Sequence, residues 1–166
     1  MHLVKAVEED IAAIWKILES AIERRRLDGS EQWQDGYPNM ETLANDVDTE
    51  SGYVLMLDGQ LVAYVCIKIN DEPEYDNIVG TWLTSSDFVV LHRVAVSEGY
   101  LGIGLAKEIF RQAEYFALER GIYSIKVDTN FDNIPMLRIL ESLDYTYCGF
   151  VYFRGAERRA FEKVLG

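Results

Sequence analysis

Basic residues are scarce in this chain of 166 residues, in which 16 Lys and Arg stand against 28 Asp and Glu and the formal net charge is -12. A nucleic-acid-binding surface needs clustered Lys and Arg to contact phosphates, so the charge argues against a nucleic-acid partner. It favours a cationic substrate only slightly, because many soluble proteins carry an acidic balance of this kind.

Cysteines and long apolar runs are also missing. Cys66 and Cys148 are the two cysteines; both fall in apolar, strand-like stretches without metal-ligand spacing, which predicts reduced core residues and no metal site. No apolar run approaches the roughly 20 residues that a membrane span requires. The start of the chain reaches acidic residues too early for a signal peptide. We therefore expect a cytoplasmic protein that does not bind a membrane.

What the chain does have is a hydrophobic content of 49%, enough for one domain over residues 1–166 with a full core. Helical periodicity predicts helices over about 8–26, 40–48 and 104–120, and a short one that begins near Pro135. Asn39 is a plausible N-cap, and Asp58-Gly59 predicts a hairpin between two apolar runs. Further strand-like runs surround these segments, and residues 71–87 read as an acidic, polar connection. The order β-α-α-β-β-β-α-β-α-β-β predicts an α/β domain with a mixed sheet.

Two glycines, Gly102 and Gly104, lie where the strand FVVLHRVAV gives way to the third helix. The first N–H groups of a helix have no intrahelical partner, and glycines let a phosphate approach that backbone. The P-loop pattern is absent, and Lys107 occupies the position of the third glycine of a dinucleotide fingerprint. On these residues alone, a phosphate site and a tight strand-to-helix turn are both open.

The stretch LHRVAVSEGYLGIGLAKEIFRQAEYFALERGIYSIKVDTNFDNIPMLRILESLDYTYCGF resembles the acetyl-CoA-binding half of the GCN5-related N-acetyltransferases (GNAT). That family carries Arg/Gln-x-x-Gly-x-Gly/Ala between a strand and its helix, and an Asn some thirty residues later opens a short helix. Gly102 and Gly104 match the glycine pair, Asn133 matches the later Asn, and Leu143-Asp144-Tyr145 matches the turn that follows. The resemblance implies a single-domain GNAT-like α/β fold, with a mixed, mostly antiparallel sheet and helices on both faces.

The resemblance also implies which residues bind acetyl-CoA as co-substrate. The strand would pair with the pantetheine arm, the backbone after it would cradle the pyrophosphate, and the later Asn would bond near the thiol. These cofactor-binding residues are Val94, Ala95, Val96, Leu101, Gly102, Ile103, Gly104, Leu105, Ala106 and Asn133. Lys107 and Arg111 either contact phosphate oxygens or are solvated charges on an exposed helix face.

Two positions depart from the family pattern. Gly99 stands where the family usually has Arg or Gln, which removes a side chain but leaves the backbone cradle. Leu140 stands where many members carry a Tyr that protonates the leaving thiolate. Leu140 has no proton to give, so the acid is another group or water, or the protein is not a catalyst.

For the base, His92 and Asp87 flank the strand that would lie beside the thioester, and a histidine can take a proton near neutral pH. His92 can equally be a satisfied polar residue of the core. The acidic residues Glu72, Glu74 and Asp76 either bind a cationic substrate or line a solvated loop. Four aromatic residues on polar loops, Trp33, Tyr37, Tyr75 and Trp82, either wall an acceptor pocket through cation–π attraction or seal the core.

We interpret the sequence as an N-acetyltransferase that moves an acetyl group from acetyl-CoA to a primary amine by direct attack, without a metal. The acceptor would be a small molecule or a peptide, and the exposed terminal strands could pair in a homodimer. The alternative is a non-catalytic module that senses acyl-CoA, and Leu140 keeps it open. A third possibility is a phosphate- or nucleotide-binding domain on another α/β fold.

Overall fold

A computed structural model describes all residues from 1 to 166. Four helices and eight strands follow one another along the chain, with short 3-10 turns at 8–10, 73–77 and 98–100. The helices are α1 (Ile11–Leu27), α2 (Met40–Asp48), α3 (Leu105–Leu118) and α4 (Ile134–Ser142). The strands are β1 (His2–Lys5), β2 (Gly52–Leu57), β3 (Gln60–Ile69), β4 (Val79–Gly80), β5 (Val89–Val96), β6 (Ser124–Thr129), β7 (Thr146–Phe153) and β8 (Ala156–Val164).

The strands form one sheet in the order β1-β2-β3-β5-β6-β8-β7-β4. The pairing of β5 with β6 is parallel, whereas β1–β2, β2–β3, β6–β8, β7–β8 and β4–β7 are antiparallel. The predicted α/β fold with a mixed, mostly antiparallel sheet is therefore confirmed. The strand β4 is an addition, because the sequence analysis treated residues 71–87 as a connection without a strand.

The chain forms two compact units, the first comprising residues 1–67 and 93–112. Its core joins α1 and α2 to the sheet through fully buried side chains, among them Ile14, Leu18, Leu43 and Val54. The apolar positions of α1 recur at helical spacing, so one face of the helix is buried while the other carries charge. The predicted N-cap is confirmed, since Asn39 Oδ1 accepts the backbone N–H of Thr42 at 3.0 Å.

The second unit comprises residues 68–92 and 113–166. One of its clusters packs Tyr75, Val90, Val151 and Ala160 together. Charged groups are buried beside it, as Arg158 pairs with Asp128 at 3.2 Å. This unit therefore contains polar side chains whose position in the core needs an explanation beyond hydrophobic packing.

Both cysteines are buried and neither forms a disulfide, as the sequence predicts. No helix is long and apolar enough to cross a membrane. The cytoplasmic location and the homodimer stay predictions.

Candidate active site

The two glycines adopt backbone conformations that other residues avoid. Gly102 has φ +78° and Gly104 has φ +87°, both in the left-handed region that a Cβ disfavours. A Cβ placed on either glycine would meet no heavy atom within 4 Å. The turn thus requires glycine for its backbone, and it also leaves open space above that backbone. The tight turn is present, and the phosphate site stays a prediction.

Six consecutive N–H groups, from Gly102 to Lys107, have no hydrogen-bond acceptor within the protein. They belong to the glycine turn and to the first turn of α3, where the positive end of the helix dipole lies. Residues 101–104 are all exposed to solvent. We call residues 101–107 the N–H cradle. Free donors, a positive helix end and open space make it fit a bound phosphate or pyrophosphate.

The strand that leads into the cradle is only partly paired with its parallel neighbour. The β5–β6 ladder covers Val89 with Ile125 and Val90 with Lys126. The rest of β5, including Val94, Ala95 and Val96, lies outside that ladder. The carbonyl of Val96 accepts a hydrogen bond of 3.0 Å from Arg24 Nη2. One of the two lone pairs of this carbonyl oxygen is therefore already engaged.

A buried ion pair holds an irregular backbone in the middle of β5. Arg93 has φ +55°, a conformation that costs free energy for a residue with a long side chain. Its guanidinium donates two hydrogen bonds to Asp46 of α2, Nε to Oδ2 at 3.0 Å and Nη2 to Oδ1 at 2.6 Å. Asp46 is 1% exposed and also accepts the hydroxyl of Tyr64 at 2.5 Å. We call Arg93, Asp46 and Tyr64 the strand brace.

The brace holds Arg93 in a left-handed conformation, which interrupts the pleat of the strand. It therefore sets the direction of the backbone just before Val94. Tyr37, which the sequence assigned to an acceptor pocket, is bound to it, since its hydroxyl accepts from Arg93 Nη1. Sequence analysis missed the brace. A clue was available in retrospect, as Arg93 interrupts an otherwise apolar strand.

His92 contacts a carboxylate that the sequence analysis did not foresee. Its Nε2 lies 2.6 Å from Glu72 Oε2, and the two side chains are 14% and 11% exposed. A carboxylate in this position orients the imidazole ring. The other candidate, Asp87, is exposed and accepts a hydrogen bond of 2.9 Å from Asn70. His92 thus has a carboxylate partner, and that partner is Glu72 rather than Asp87.

The remaining aromatic candidates serve the core as well as a cavity. Tyr75 is 2% exposed, and its hydroxyl donates to Asp128 at 2.7 Å. Trp82 Nε1 donates to the carbonyl of Tyr75 at 2.9 Å, and their ring centroids lie 5.0 Å apart. Both residues line a cavity of about 510 Å³ in the second unit. In the first unit, Trp33 packs against the core cluster around Ile14.

The helix α4 carries the two remaining positions that the resemblance singled out. Asn133 is buried at its N-cap, and its Oδ1 accepts the N–H of Met136 at 3.4 Å. Leu140 is fully buried, so the position that the resemblance gives to the usual tyrosine belongs to the core here. No cluster of three or more His, Cys, Asp or Glu that could hold a metal ion is present.

Comparisons with known proteins place this geometry in a family. A crystal structure of a GNAT-family acetyltransferase from Streptococcus agalactiae is 31% identical, with a TM-score of 0.90 over 99% of this chain and 95% of its own. YncA from Salmonella typhimurium, solved with its cofactor acetyl-CoA, is 16% identical with a TM-score of 0.70, covering 100% of this chain and 94% of that one. The ribosomal-protein-alanine N-acetyltransferase from Brucella melitensis is 16% identical with a TM-score of 0.71, covering 99% and 100%.

At 16% identity, the Salmonella and Brucella proteins show only that this chain has the same fold as they do. No curated protein sequence matches the chain. The sequence model of the acetyltransferase (GNAT) family matches residues 12–145, which excludes an unrelated α/β nucleotide-binding domain. The resemblance drawn from the glycine pair is confirmed: this chain belongs to the GNAT family of acetyltransferases.

Proposed function

We propose that this protein transfers an acetyl group from acetyl-CoA to the primary amine of a small molecule or peptide by direct attack, with no covalent intermediate on the enzyme. The observation that carries this proposal is the N–H cradle, whose donors from Gly102 to Lys107 have no partner of their own. A group with several anionic oxygens would satisfy them, and the pyrophosphate of CoA is such a group.

Binding of the co-substrate would use the backbone more than side chains. Leu101, Gly102, Ile103, Gly104, Leu105 and Ala106 would hold the pyrophosphate, and Val94, Ala95 and Val96 would pair with the amide-bearing arm. An extended arm can add to a strand edge through main-chain hydrogen bonds. Asn133 would bond near the thiol end. Gly99 supplies no side chain, so this cradle has to work without the usual Arg or Gln.

Acetyl-CoA supplies an activated thioester carbonyl, and the side chains of this protein move the protons. His92 takes a proton from the acceptor ammonium, directly or through water. Glu72, 2.6 Å from His92 Nε2, orients the ring. The N–H of Val94, two residues along the same strand, donates to the carbonyl oxygen as charge develops there. The strand brace fixes the direction of that N–H.

The position of the usual tyrosine acid carries no acid in this chain. The position holds Leu140, which is fully buried and carries no proton. We expect water to protonate the departing thiolate, which is a good leaving group and tolerates a missing acid. The same observation favours the second candidate function, a sensor that binds acyl-CoA without turnover.

One experiment separates the two functions. The purified protein is incubated with acetyl-CoA and a panel of amines, and thiol release and amine acetylation are both measured, alongside calorimetric binding of acetyl-CoA. An enzyme binds acetyl-CoA, releases thiol and yields an acetylated amine, and H92Q lowers the rate without weakening acetyl-CoA binding. A sensor binds acetyl-CoA and yields no product from any amine. Absence of acetyl-CoA binding contradicts both.

A further inference from the structure

A buried lysine lines the cavity of the second unit and makes no direct ion-pair contact. Lys126 of β6 is 4% exposed and, together with Tyr75, Trp82, Thr84 and Phe88, contributes to the cavity of about 510 Å³. Its Nζ lies 4.2 Å from the ring centroid of Phe88 and 4.6 Å from that of Trp82. It makes no hydrogen bond or ion pair within the protein. Buried lysines are normally paired, so this one calls for an explanation.

The buried carboxylate opposite Lys126 in the β6–β8 ladder, Glu162, is engaged by other groups. Glu162 is fully buried, and it accepts hydrogen bonds from Leu83 N at 2.6 Å, Thr84 Oγ1 at 2.5 Å and Ser124 Oγ at 2.7 Å. These bonds tie the loop after Trp82 to the sheet. Burial lowers the pKa of the Lys126 ammonium, and the charge of Glu162 offsets part of that effect. The aromatic rings alone stabilise the ammonium weakly compared with an ion pair.

The cavity also offers neutral donors and a second charge. The hydroxyls of Ser85 and Ser86 line it, are exposed and make no hydrogen bond within the protein. Asp76 lines it as well. A carboxylate beside a lysine and two hydroxyls disfavours a multiply charged anion such as phosphate. It is compatible with a singly charged carboxylate on a molecule that also carries an amine.

The cavity lies on the same face of the sheet as the candidate base. Lys126 pairs with Val90 in the parallel ladder, and His92 follows Val90 by two residues, so the two side chains leave the same face. From strand spacing and rise, the Cα atoms of Lys126 and His92 are about 8 Å apart. The ring of Phe153 contacts both His92 and Tyr75, with centroids 6.5 Å and 6.3 Å away.

We propose that Lys126 binds the carboxylate of the acceptor, so that the substrates of this protein are amino acids or similar small amines that carry a carboxylate. Trp82 and Phe88 pack against the apolar part of the molecule, and its amine points along the sheet towards His92. This inference rests on the proposed function, because the molecule that Lys126 binds is an acetyl acceptor only in an acetyltransferase. The carboxylate site itself does not depend on catalysis.

The site is tested first by binding alone. Calorimetry compares phenylacetate, which carries a carboxylate, with phenylacetamide, in which a neutral carboxamide replaces it. The proteins are the wild type, K126M, K126R and the exposed control K16M. We expect the wild type and K16M to bind phenylacetate at least tenfold more tightly than phenylacetamide. K126M should lose that preference, and K126R should keep part of it. Circular dichroism and thermal unfolding confirm that each variant is folded.

Equal affinity of the wild type for the two probes, no binding of phenylacetate, or unchanged preference in K126M would each overturn the site. The acceptor role is tested with phenylalanine and 2-phenylethylamine in the transfer assay. We expect kcat/KM to favour phenylalanine in the wild type and not in K126M. Acetylation of both amines at equal rates overturns the inference and leaves the proposed function standing. Phenylacetate binding without any acetyl-CoA binding overturns the proposed function and leaves the site standing.

Discussion

Replacing Asp46 by alanine would leave the guanidinium of Arg93 buried without its carboxylate. The Arg93 side chain is 7% exposed and that of Asp46 is 1% exposed, so solvent reaches neither charge freely. Removing one partner of a buried ion pair costs about 3–5 kcal/mol, partly because the remaining charge stays desolvated. The hydroxyl of Tyr64 loses its acceptor in the same variant. The expected destabilisation of D46A is therefore about 3–5 kcal/mol.

Thermal unfolding followed by circular dichroism measures this effect. In a chain of this size each kcal/mol lowers the unfolding midpoint by roughly 2–4 °C, so D46A should unfold about 6–20 °C below the wild type. The matched control is E50A, which removes the carboxylate of the exposed Lys5–Glu50 pair at 3.4 Å. Exposed pairs of this kind contribute about 0–1 kcal/mol, and E50A should change the midpoint by at most a few degrees.

A second variant separates the charge from the packing. The double substitution D46L/R93M removes both charges, and it should recover at least half of the stability lost by D46A, because apolar side chains can replace a buried ion pair. Its acetyl transfer should still fall at least tenfold, since the backbone before Val94 loses the brace. A decrease of less than about 1 kcal/mol in the free energy of unfolding of D46A would refute the reasoning, because the buried charge of Arg93 would then be stabilised without Asp46.

Three further predictions follow from the same contacts. H92Q and E72Q should each lower kcat at least tenfold with little change in the KM for acetyl-CoA, whereas E74Q, on the same segment, should keep the wild-type rate. G104A should raise the KM for acetyl-CoA about tenfold, because a Cβ enters the cradle. The control is G29A, which has φ +78° and equally open surroundings. It introduces similar backbone strain and should leave the KM for acetyl-CoA unchanged. The free energy of unfolding should fall above pH 10 by about 2–3 kcal/mol per pH unit. The reason is that the pKa values of Tyr64 and Tyr75 are raised above the usual 10, first by burial and then by the neighbouring carboxylate. The unfolded state then loses protons that the folded state keeps, and urea unfolding between pH 8 and 11 measures the fall; equal stability across that range would contradict it.

Local patterns in the sequence predicted most of the elements. Asp58 and Gly59 adopt φ +50° and +76°, the conformation that a two-residue hairpin turn requires. Gly121 ends α3 with φ +68°, as a helix C′ glycine should. These features depend on residues within a few positions of one another, so periodicity and turn chemistry are sufficient to find them.

The features that sequence reasoning missed all join distant residues. The strand β4 has two residues, and it exists through its pairing with β7 some seventy residues later. Glu72 reaches His92 across twenty residues, and Asp46 reaches Arg93 across forty-seven. No local pattern encodes such partners. The glycine turn was thus predictable from local pattern, and the paired side chains were not.

The most direct test of the account is a calorimetric titration of acetyl-CoA into the wild-type protein and G104A, with ATP as a control ligand. We predict saturable binding of acetyl-CoA at one site per chain, no comparable binding of ATP, and affinity at least tenfold weaker in G104A. Equal binding by the two proteins would show that the N–H cradle does not hold the co-substrate. No binding of acetyl-CoA to the wild type would contradict the proposed function itself.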